Sequence, residues 1–183
     1  MWDLVVTTLY LFLPAYAANM APVIATRGNL LQSLARPLDG GAQLGGLPLL
    51  GPHKTYRGVI VGLVAGVVTA LLQAFLTERS AFWEDVTLFP YAEQSALLWG
   101  ILLGGGALIG DLGKSFVKRR LGIPPGSRWF PWDQVDMVIG ALLFGALLFP
   151  FPWLVTLTVL LVTPLVGLLV NLGSYMLNVK EAW

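Results

Sequence analysis

The segment VIVGLVAGVVTALLQAFL (Val59–Leu76) is a run of 18 residues without a charged side chain. An α-helix needs about 20 predominantly apolar residues to cross the hydrocarbon core of a bilayer, so this run predicts a membrane-crossing helix. The whole chain agrees: 56% of its 183 residues are hydrophobic, only 11% are charged, and the mean hydropathy is +0.75. A soluble domain carries about twice that charged fraction, so the sequence predicts an integral membrane protein.

Hydropathy indicates four further apolar segments, one before this run and three after it. Because a backbone inside a membrane must satisfy its own hydrogen bonds, we expect all five segments to be helices of one all-α domain that occupies residues 1–183. A short FPFP turn (Phe149–Pro152) joins the last two segments. The four further segments are Leu4–Ile24, Ser95–Ile109, Val135–Phe149 and Trp153–Leu177.

The basic residues are concentrated in two of the connections between segments. Ten of the eleven lysines and arginines follow the first, third or fifth segment, whereas Arg79 lies among acidic residues in the second connection. Since basic connections of membrane proteins face the cytoplasm, we expect the N-terminus outside, the C-terminus inside and two functional cytoplasmic loops. The ten residues are Arg27, Arg36, Lys54, Arg57, Lys114, Lys118, Arg119, Arg120, Arg128 and Lys180.

The helix of the third segment is predicted to continue beyond the membrane to Gly122, where Pro124 and Pro125 stop it. One face of this extension carries a carboxylate, two ammonium groups and a hydroxyl, because their spacing is i, i+3, i+4 and i+7. Such a face suits a metal-bound polyphosphate, and a solvated basic face with one ion pair explains the same pattern. The four residues are Asp111, Lys114, Ser115 and Lys118.

Two further aspartates, Asp133 and Asp136, are three residues apart at the start of the fourth segment. Both carboxylates would project from one side of the first helical turn. Acidic residues at a helix N-terminus are commonly caps or partners of the helix dipole. Together with Asp111 they would also supply the oxygen ligands that Mg²⁺ prefers. The sequence therefore predicts a magnesium site, with helix capping as the alternative.

The first cytoplasmic loop ends in GPHKTYRG (Gly51–Gly58), directly before the second segment. A helix N-terminus with Lys54, Thr55 and Arg57 beside it is a good anion site, and simple anchoring by positive charge is the alternative. His53 receives no role, and Asp39 and Gln43 of the flexible upstream loop are weak candidates only.

The first segment contains PAYAANMAP (Pro14–Pro22). Pro14 is expected to kink the helix and to free backbone groups. Asn19 would then either face the cytoplasmic cavity or donate a hydrogen bond to a neighbouring helix.

Several common site types are excluded. The chain has no cysteine and one histidine, which excludes disulfides, thiolate metal sites and multi-histidine metal sites. GDLGKS (Gly110–Ser115) ends like a phosphate-binding loop, but Leu108 replaces the required first glycine and a membrane helix precedes it instead of a strand. The glycines of the second and third segments are predicted to allow close helix packing. They are Gly62, Gly66, Gly106 and Gly110.

Five motifs, in this order, resemble those of the phosphatidate cytidylyltransferases (CDP-diacylglycerol synthases), and most closely the archaeal branch of that family, the CDP-archaeol synthases. They extend over most of the non-apolar part of the chain. The motifs are PAYAANMAP, PLDGG (Pro37–Gly41), GPHKTYRG, GDLGKSFVKRRLGIPPG (Gly110–Gly126) and PWDQVD (Pro131–Asp136).

The resemblance implies a single transmembrane cytidylyltransferase domain in the cell membrane, with its active site facing the cytoplasm. It implies Mg²⁺-dependent transfer of CMP from CTP to an isoprenoid ether lipid phosphate, without a nucleic-acid partner. The implied catalytic residues are Asp111, Lys118, Asp133 and Asp136, and the three aspartates are the implied metal ligands. The implied residues for CTP and its phosphates are Lys54, Thr55, Arg57, Lys114, Ser115, Arg119 and Asn19.

Two alternatives remain at this point. A CTP-dependent polyprenol kinase would use similar groups but would release CDP in place of pyrophosphate. A small transporter would carry charges or broken helices within the membrane, in paired repeats. Oligomeric state, lipid-tail preference and the residues that contact cytosine are left open by the sequence.

Overall fold

The structure is a computed structural model that describes residues 2–127, 129–130 and 132–176, with the side chains of the last helix described up to Leu168. Within these residues the fold is helical apart from a two-stranded antiparallel ribbon and one 3-10 turn, Gln32–Leu34. The strands are β1 (Gln43–Leu44) and β2 (Leu47–Pro48). The described α-helices are α1 (Trp2–Leu11), α2 (Leu13–Arg27), α3 (Tyr56–Thr77), α4 (Ala81–Val86), α5 (Ala96–Arg120), α6 (Trp132–Gly145) and α7 (Trp153–Met176).

The predicted all-α membrane character is confirmed. By length and composition α3 and α5 can each cross a membrane, and α1 and α2 can do so together as a bent pair. The apolar segments predicted fourth and fifth contain α6 and α7. The number of crossings and their orientation stay predictions, and Lys180, Arg128 and Leu177 lie outside the described residues.

Local capping sets the bounds of the two long helices. α3 begins three residues before the predicted apolar run because Oγ1 of Thr55 accepts a hydrogen bond from the backbone N–H of Gly58 (3.1 Å). α5 continues beyond the predicted apolar segment and ends just before Gly122, whose φ of +72° belongs to the left-handed region. The predicted extension of this helix into the loop is therefore confirmed.

The fourth predicted segment, Val135–Phe149, is helical only as far as Gly145. The residues after it form tighter turns, with the N–H of Leu148 donating to the carbonyl of Gly145 (3.0 Å). The ring of Phe151 folds back so closely that a Cβ on Gly145 would lie 2.8 Å from it. The FPFP turn thus ends α6 four residues early, which corrects the predicted helix end.

A 55° bend separates α1 from α2, at Phe12. Pro14 has no N–H, so the carbonyl of Tyr10, four residues earlier, has no partner from the helix. The side chain of Gln73 on α3, which is buried, donates to that carbonyl and accepts from the hydroxyl of Tyr91 (3.0 Å). The predicted kink is confirmed, and a buried polar side chain of a helix that can cross a membrane satisfies the group that it frees.

The predicted close packing of helices at glycines is confirmed, because a Cβ added at these positions would lie too close to atoms of a neighbouring helix. A Cβ on Gly62 of α3 would lie 2.6 Å from the carbonyl oxygen of Ala18 on α2. On α5, a Cβ on Gly106 would lie 2.5 Å from the carbonyl oxygen of Gly140, and one on Gly110 would lie 2.2 Å from that of Asp136. Glycines therefore bring the backbones of α5 and α6 into contact beside the predicted aspartates.

An aromatic core closes one end of the helix bundle. Phe89 stacks on Trp99 with 4.2 Å between ring centroids, and Phe12, Phe149 and Phe151 surround this pair. Because α5 rises about 1.5 Å per residue, the predicted polar face that begins twelve residues after Trp99 lies about 18 Å along the helix axis. The core therefore anchors α5 well away from its charged end.

Candidate active site

The side chain of Arg120 on α5 holds the loop between α2 and α3 over the charged end of α5. The guanidinium of Arg120 donates to the backbone carbonyls of Leu44, Leu47 (3.2 Å) and Pro48, all in the β-ribbon. The same guanidinium lies over the ring of Phe116, 5.4 Å from its centroid. Arg120 thus fixes the position of the ribbon, a role that its sequence context did not indicate.

Asp39 organises the remainder of this loop. Its carboxylate accepts hydrogen bonds from the backbone N–H groups of Leu50 (2.9 Å) and Gly51 (3.1 Å), and the N–H of Leu38 donates to the carbonyl of Lys54 (2.8 Å). These bonds join the turn at Leu38 and Asp39 to the stretch from Leu50 to Lys54, directly before α3. The sequence suggested Asp39 only weakly, although an aspartate followed by two glycines is a turn signal that favours this geometry.

We expect Asp39→Asn to lower the thermal stability of the protein at neutral pH. The hydrogen bond from the N–H of Leu50, with those from the neighbouring amides, lowers the pKa of Asp39. A carboxylate with a lowered pKa stabilises the fold above its ordinary pKa of about 3.9, and that contribution is lost as the pH falls through the lower value. The difference in Tm between wild type and variant should therefore close at acid pH; a gap independent of pH would contradict this role.

The centre of the site is an ion cluster of three carboxylates and three ammonium groups. The Nζ of Lys114 lies 3.2 Å from Asp111 Oδ1, 3.3 Å from Asp133 Oδ1 and 2.8 Å from Asp136 Oδ2. Lys54 reaches across from the first loop to pair with Asp111. The ion cluster consists of Asp111, Asp133, Asp136, Lys54, Lys114 and Lys118, whose formal charges cancel.

Lys118 joins the ion cluster to the loop that follows α5. Its Nζ donates to the backbone carbonyl of Ser127 and to both carboxylate oxygens of Asp133 (3.0 and 3.2 Å). The N–H of Trp129 also donates to Asp133. Asp133 therefore contacts three donors, on Lys114, Lys118 and Trp129, and a change at Lys118 would also disturb a predicted metal ligand.

The predicted metal ligands converge, but around an ammonium group. Within the described residues, no group of three or more histidine, aspartate or glutamate side chains is arranged to hold a metal ion. Lys114 occupies the point that Asp111, Asp133 and Asp136 share, at distances suited to N–H···O bonds rather than the 2.0–2.1 Å of Mg²⁺ coordination. The donor set fits a hard divalent cation chemically, provided that Lys114 moves aside.

Two polar cavities adjoin the ion cluster. The first, of about 660 Å³, lies between α2, α3 and α5, and the second, of about 340 Å³, lies between the first loop and the end of α5. Both volumes are in the range of small-molecule sites. The first is lined by Asn19, Thr55, Arg57 and Asp111, the second by Lys114, Ser115, Lys118, Arg119 and Asp133, and both by Lys54.

Besides the lysines of the ion cluster, three more of the predicted phosphate-binding side chains have partners in the protein. Thr55 caps α3, and the hydroxyl of Ser115 donates to the backbone carbonyl of Asp111 (2.9 Å). The guanidinium of Arg57 donates to the carbonyl of Leu30 (3.2 Å) and to the hydroxyl of Thr26 (2.9 Å), which joins α3 to the end of α2. These contacts give each side chain a structural role in addition to its place on the cavity wall.

Arg119 differs from these three residues. It is only 5% exposed, and its Nε and Nη1 have no hydrogen-bond partner among the described residues. An unpaired buried guanidinium is costly unless a ligand completes its hydrogen bonds, and the second cavity that it lines offers room for one.

His53 is a cavity residue that the sequence reasoning passed over. It lines both polar cavities, beside Lys54. A lone histidine has no diagnostic spacing, and only its position within GPHKTYRG could have indicated a place near the site.

Comparison with known proteins finds relatives that share one description. A family model described as CarS-like CDP-archaeol synthase matches residues 1–183. The chain is 40% identical to a CDP-archaeol synthase of Halobacterium salinarum, with 98% of this chain and 97% of the relative covered. It is 35% identical to one of Methanocaldococcus jannaschii, with 100% and 98% covered. A solved structure reported as an intramembrane enzyme for archaeal membrane lipids biosynthesis has a TM-score of 0.73 and 32% identity, over 90% of this chain and 92% of that chain.

Proposed function

This chain belongs to the CDP-archaeol synthase family, and on that premise we propose that it transfers CMP from CTP to unsaturated archaetidic acid, an isoprenoid ether lipid phosphate. The products are CDP-archaeol and pyrophosphate. The ion cluster carries this proposal, because it lies where two polar cavities meet an apolar one between α5 and α6. A reaction between a water-soluble nucleotide and a lipid phosphate needs such a junction.

We propose that the nucleotide occupies the two polar cavities, with its phosphates between Lys54, Lys118 and Arg119. A lipid phosphate oxygen attacks the α-phosphorus of CTP, the bond to the β-phosphate oxygen breaks, and pyrophosphate leaves. Phosphoryl-type transfer depends mainly on positioning and on neutralising the charge that develops. The basic side chains supply that neutralisation, and no general base is required because the attacking phosphate is already ionised at neutral pH.

Asp111, Asp133 and Asp136 would hold Mg²⁺ in this site. A bound divalent cation would neutralise phosphate charge and polarise the reacting phosphoryl group. With a cation bound, the three carboxylates would hold it in place of the ammonium of Lys114, and that ammonium would be free to contact the phosphates. The equal numbers of carboxylates and ammonium groups in the ion cluster support this proposal. Each carboxylate that lost an ammonium partner would gain the cation, and each ammonium group that lost a carboxylate would gain a phosphate.

We propose five membrane crossings, formed by the α1–α2 pair, α3, α5, α6 and α7. The positive-inside pattern then puts the N-terminus outside, the C-terminus in the cytoplasm and the active site at the cytoplasmic face of the cell membrane. Two contacts join the basic loops: Lys54 pairs with Asp111, and Arg120 donates to the β-ribbon. These contacts support the placement of both loops on the same side of the membrane. Protease cleavage of either basic loop in sealed right-side-out vesicles would contradict this orientation.

We expect Arg119→Met to raise the KM for CTP by about tenfold to a hundredfold, the range for removing a charge-assisted hydrogen bond from a bound anion. The KM for the lipid phosphate should change little, because Arg119 lines the second polar cavity but not the apolar cavity. Arg79→Met is the matched control. Arg79 follows the C-terminal end of α3, whereas the site lies at the N-terminal end of that helix, and its guanidinium lies over the ring of Phe75. Equal effects of Arg119→Met on both substrates would contradict the assignment.

The deciding experiment for the proposed function is product analysis. Purified protein is incubated with Mg²⁺, unsaturated archaetidic acid and CTP labelled either in the α- or in the γ-phosphate. We expect the α-label in the lipid and the γ-label in pyrophosphate, with equal amounts of the two products. The γ-label in the lipid, with release of CDP, would identify a lipid kinase and contradict the proposal.

A further inference from the structure

The segment that follows α2 exposes two adjacent leucines. Leu30 is 55% exposed and Leu31 is 52% exposed, and both lie between the end of α2 and the 3-10 turn. We refer to residues 28–36, from the end of α2 through that turn, as the anchor loop. Adjacent leucines in a loop are unfavourable in water, so they indicate a surface that meets a membrane or a partner.

The backbone of the anchor loop turns sharply to present these leucines. Asn29 and Leu31 have φ values of +50° and +49°, in the left-handed region that a leucine rarely adopts. Two contacts hold this form: the N–H of Leu30 donates to the carbonyl of Ala25 (2.9 Å), and the guanidinium of Arg57 donates to the carbonyl of Leu30 (3.2 Å). A strained conformation that surrounding contacts maintain is typical of a functional segment.

The packing of α2 against α3 places the anchor loop near the membrane surface. A Cβ on Gly58 would lie 3.7 Å from Cβ of Pro22, so Pro22 is level with the start of the apolar run at Val59. From Pro22, α2 continues to Arg27, a distance of about 7.5 Å at about 1.5 Å per residue. The headgroup region of one leaflet is about 5–8 Å thick, so a membrane that covers the apolar run of α3 would reach the anchor loop with its headgroups.

Basic and apolar side chains flank the two leucines. Arg27 ends α2, Arg36 ends the anchor loop, and both are exposed. On α2, Met20 and Ile24 are 60% and 62% exposed, and their i, i+4 spacing makes them one apolar stripe that leads toward the loop. Residues 20–36 contain no acidic side chain. This combination fits a lipid surface with anionic headgroups, because arginine keeps its charge among phosphates while its stem lies against hydrocarbon.

We propose that the anchor loop binds the anionic surface of the membrane that α2 crosses. Its two leucines lie at the edge of the hydrocarbon, and the arginines at its two ends, Arg27 and Arg36, contact lipid phosphates. This inference goes beyond the proposed function and rests on the proposed crossing of the α1–α2 pair. Arg27 and Ala35 also line the first polar cavity, so a docked anchor loop would hold one wall of that cavity in place.

The first test measures where the loop lies with a spin label. The chain has no cysteine, so one introduced cysteine can carry a nitroxide at a chosen position. Leu31→Cys is compared with Leu44→Cys, whose leucine is 53% exposed on the β-ribbon. Because both leucines are exposed, neither change opens a cavity in the core.

The labelled proteins are placed in vesicles of phosphatidylcholine and phosphatidylglycerol. We expect the label at position 31 to collide with a water-soluble nickel chelate about tenfold less often than the label at position 44, because burial of a leucine-sized group favours the membrane by at least that factor. Equal collision rates at the two positions would overturn the proposal.

Collisions with molecular oxygen separate a membrane from a protein as the cover of the loop. Oxygen is apolar and concentrates in hydrocarbon, so a label in the membrane collides with oxygen more often than with the chelate. A label buried between two copies of the chain is protected from both and shows dipolar broadening by the second label. Protection from both would overturn the lipid surface in favour of a protein interface.

The role of the arginines is tested by the charge of the lipid. In the vesicles with phosphatidylglycerol, Arg36→Gln should raise the chelate collision rate at position 31 by about three- to fivefold, the effect of one basic residue at an anionic surface. In vesicles of phosphatidylcholine alone, the same change should have no effect. An equal result in the two kinds of vesicle would overturn the contact with lipid phosphates.

The anchor and the proposed function fail in different ways. If wild-type protein forms CDP-archaeol but the label at position 31 lies in water, the anchor fails and the proposed function stands. If wild-type protein forms no CDP-archaeol, the proposed function fails, whatever the collision rates show.

Discussion

Asp136→Asn is expected to lower the rate of CMP transfer by at least about a hundredfold, the size of effect seen when one preorganised charged or hydrogen-bonding group is removed from a polar active site. Asp136 has the least exposed carboxylate of the ion cluster, with 8% of its side chain accessible, and it makes the shortest of the three contacts with Lys114. An amide of the same shape keeps the packing but removes the charge. Lys114 then loses a partner, and the proposed cation loses a ligand.

Steady-state rates with labelled CTP, and binding of Mn²⁺ followed by electron paramagnetic resonance, measure the two effects separately. Asp85→Asn provides the same chemical change at an exposed position of α4, away from the site, and should behave as wild type. Wild-type turnover by Asp136→Asn, with an unchanged unfolding temperature, would show that this carboxylate takes no part in the reaction.

Gly110→Ala is expected to destabilise the protein by about 3 kcal/mol, the upper part of the range for overpacking, although alanine gains about 1 kcal/mol in helix propensity. The added Cβ would lie 2.2 Å from the carbonyl oxygen of Asp136 and 3.3 Å from Cα of Gly140, so the backbones of α5 and α6 must separate. That movement also displaces the carboxylate of Asp136, and a displacement of about 1 Å at a reacting group can cost about a hundredfold in rate.

Gly105→Ala is the matched control on the same helix. Its Cβ would meet only a methyl carbon of Leu63, at the ordinary contact distance of 3.8 Å. The unfolding temperature in detergent and the rate of CMP transfer should both fall for Gly110→Ala. Both should stay near wild type for Gly105→Ala. Equal stability of the two variants would contradict the close approach of α5 and α6.

Local signals in the sequence were sufficient to predict most of the helical fold. The apolar run at Val59–Leu76 predicted α3 to within a few residues, and the prolines after Gly122 predicted the end of α5. Gly106 and Gly110 predicted close helix packing, and the structure identifies α6 as the partner helix. These features depend on hydropathy, on backbone conformation or on the absence of a side chain, which are properties of short stretches of chain.

The clustering of the site was predicted, but the partners of its groups were not. Helical spacing indicated that Asp111 and Lys114 share a face, but not that the ammonium of Lys114 would lie between three carboxylates from two helices. Asp39 and Arg120 were missed as structural residues because their partners are backbone groups of segments that come together only in the folded chain. Such pairings depend on tertiary packing, and the spacing of residues along the sequence does not predict them.

The polar contact at Pro14 has a mechanical consequence. A proline break inside a membrane helix is usually a hinge, but here Gln73 holds the freed carbonyl of Tyr10 and is itself held by Tyr91. Straightening or swinging the first transmembrane segment would therefore break two hydrogen bonds in a medium that offers no substitute. These contacts brace the bend, and we expect the part of α2 that carries Asn19 to keep its position as one wall of the first polar cavity.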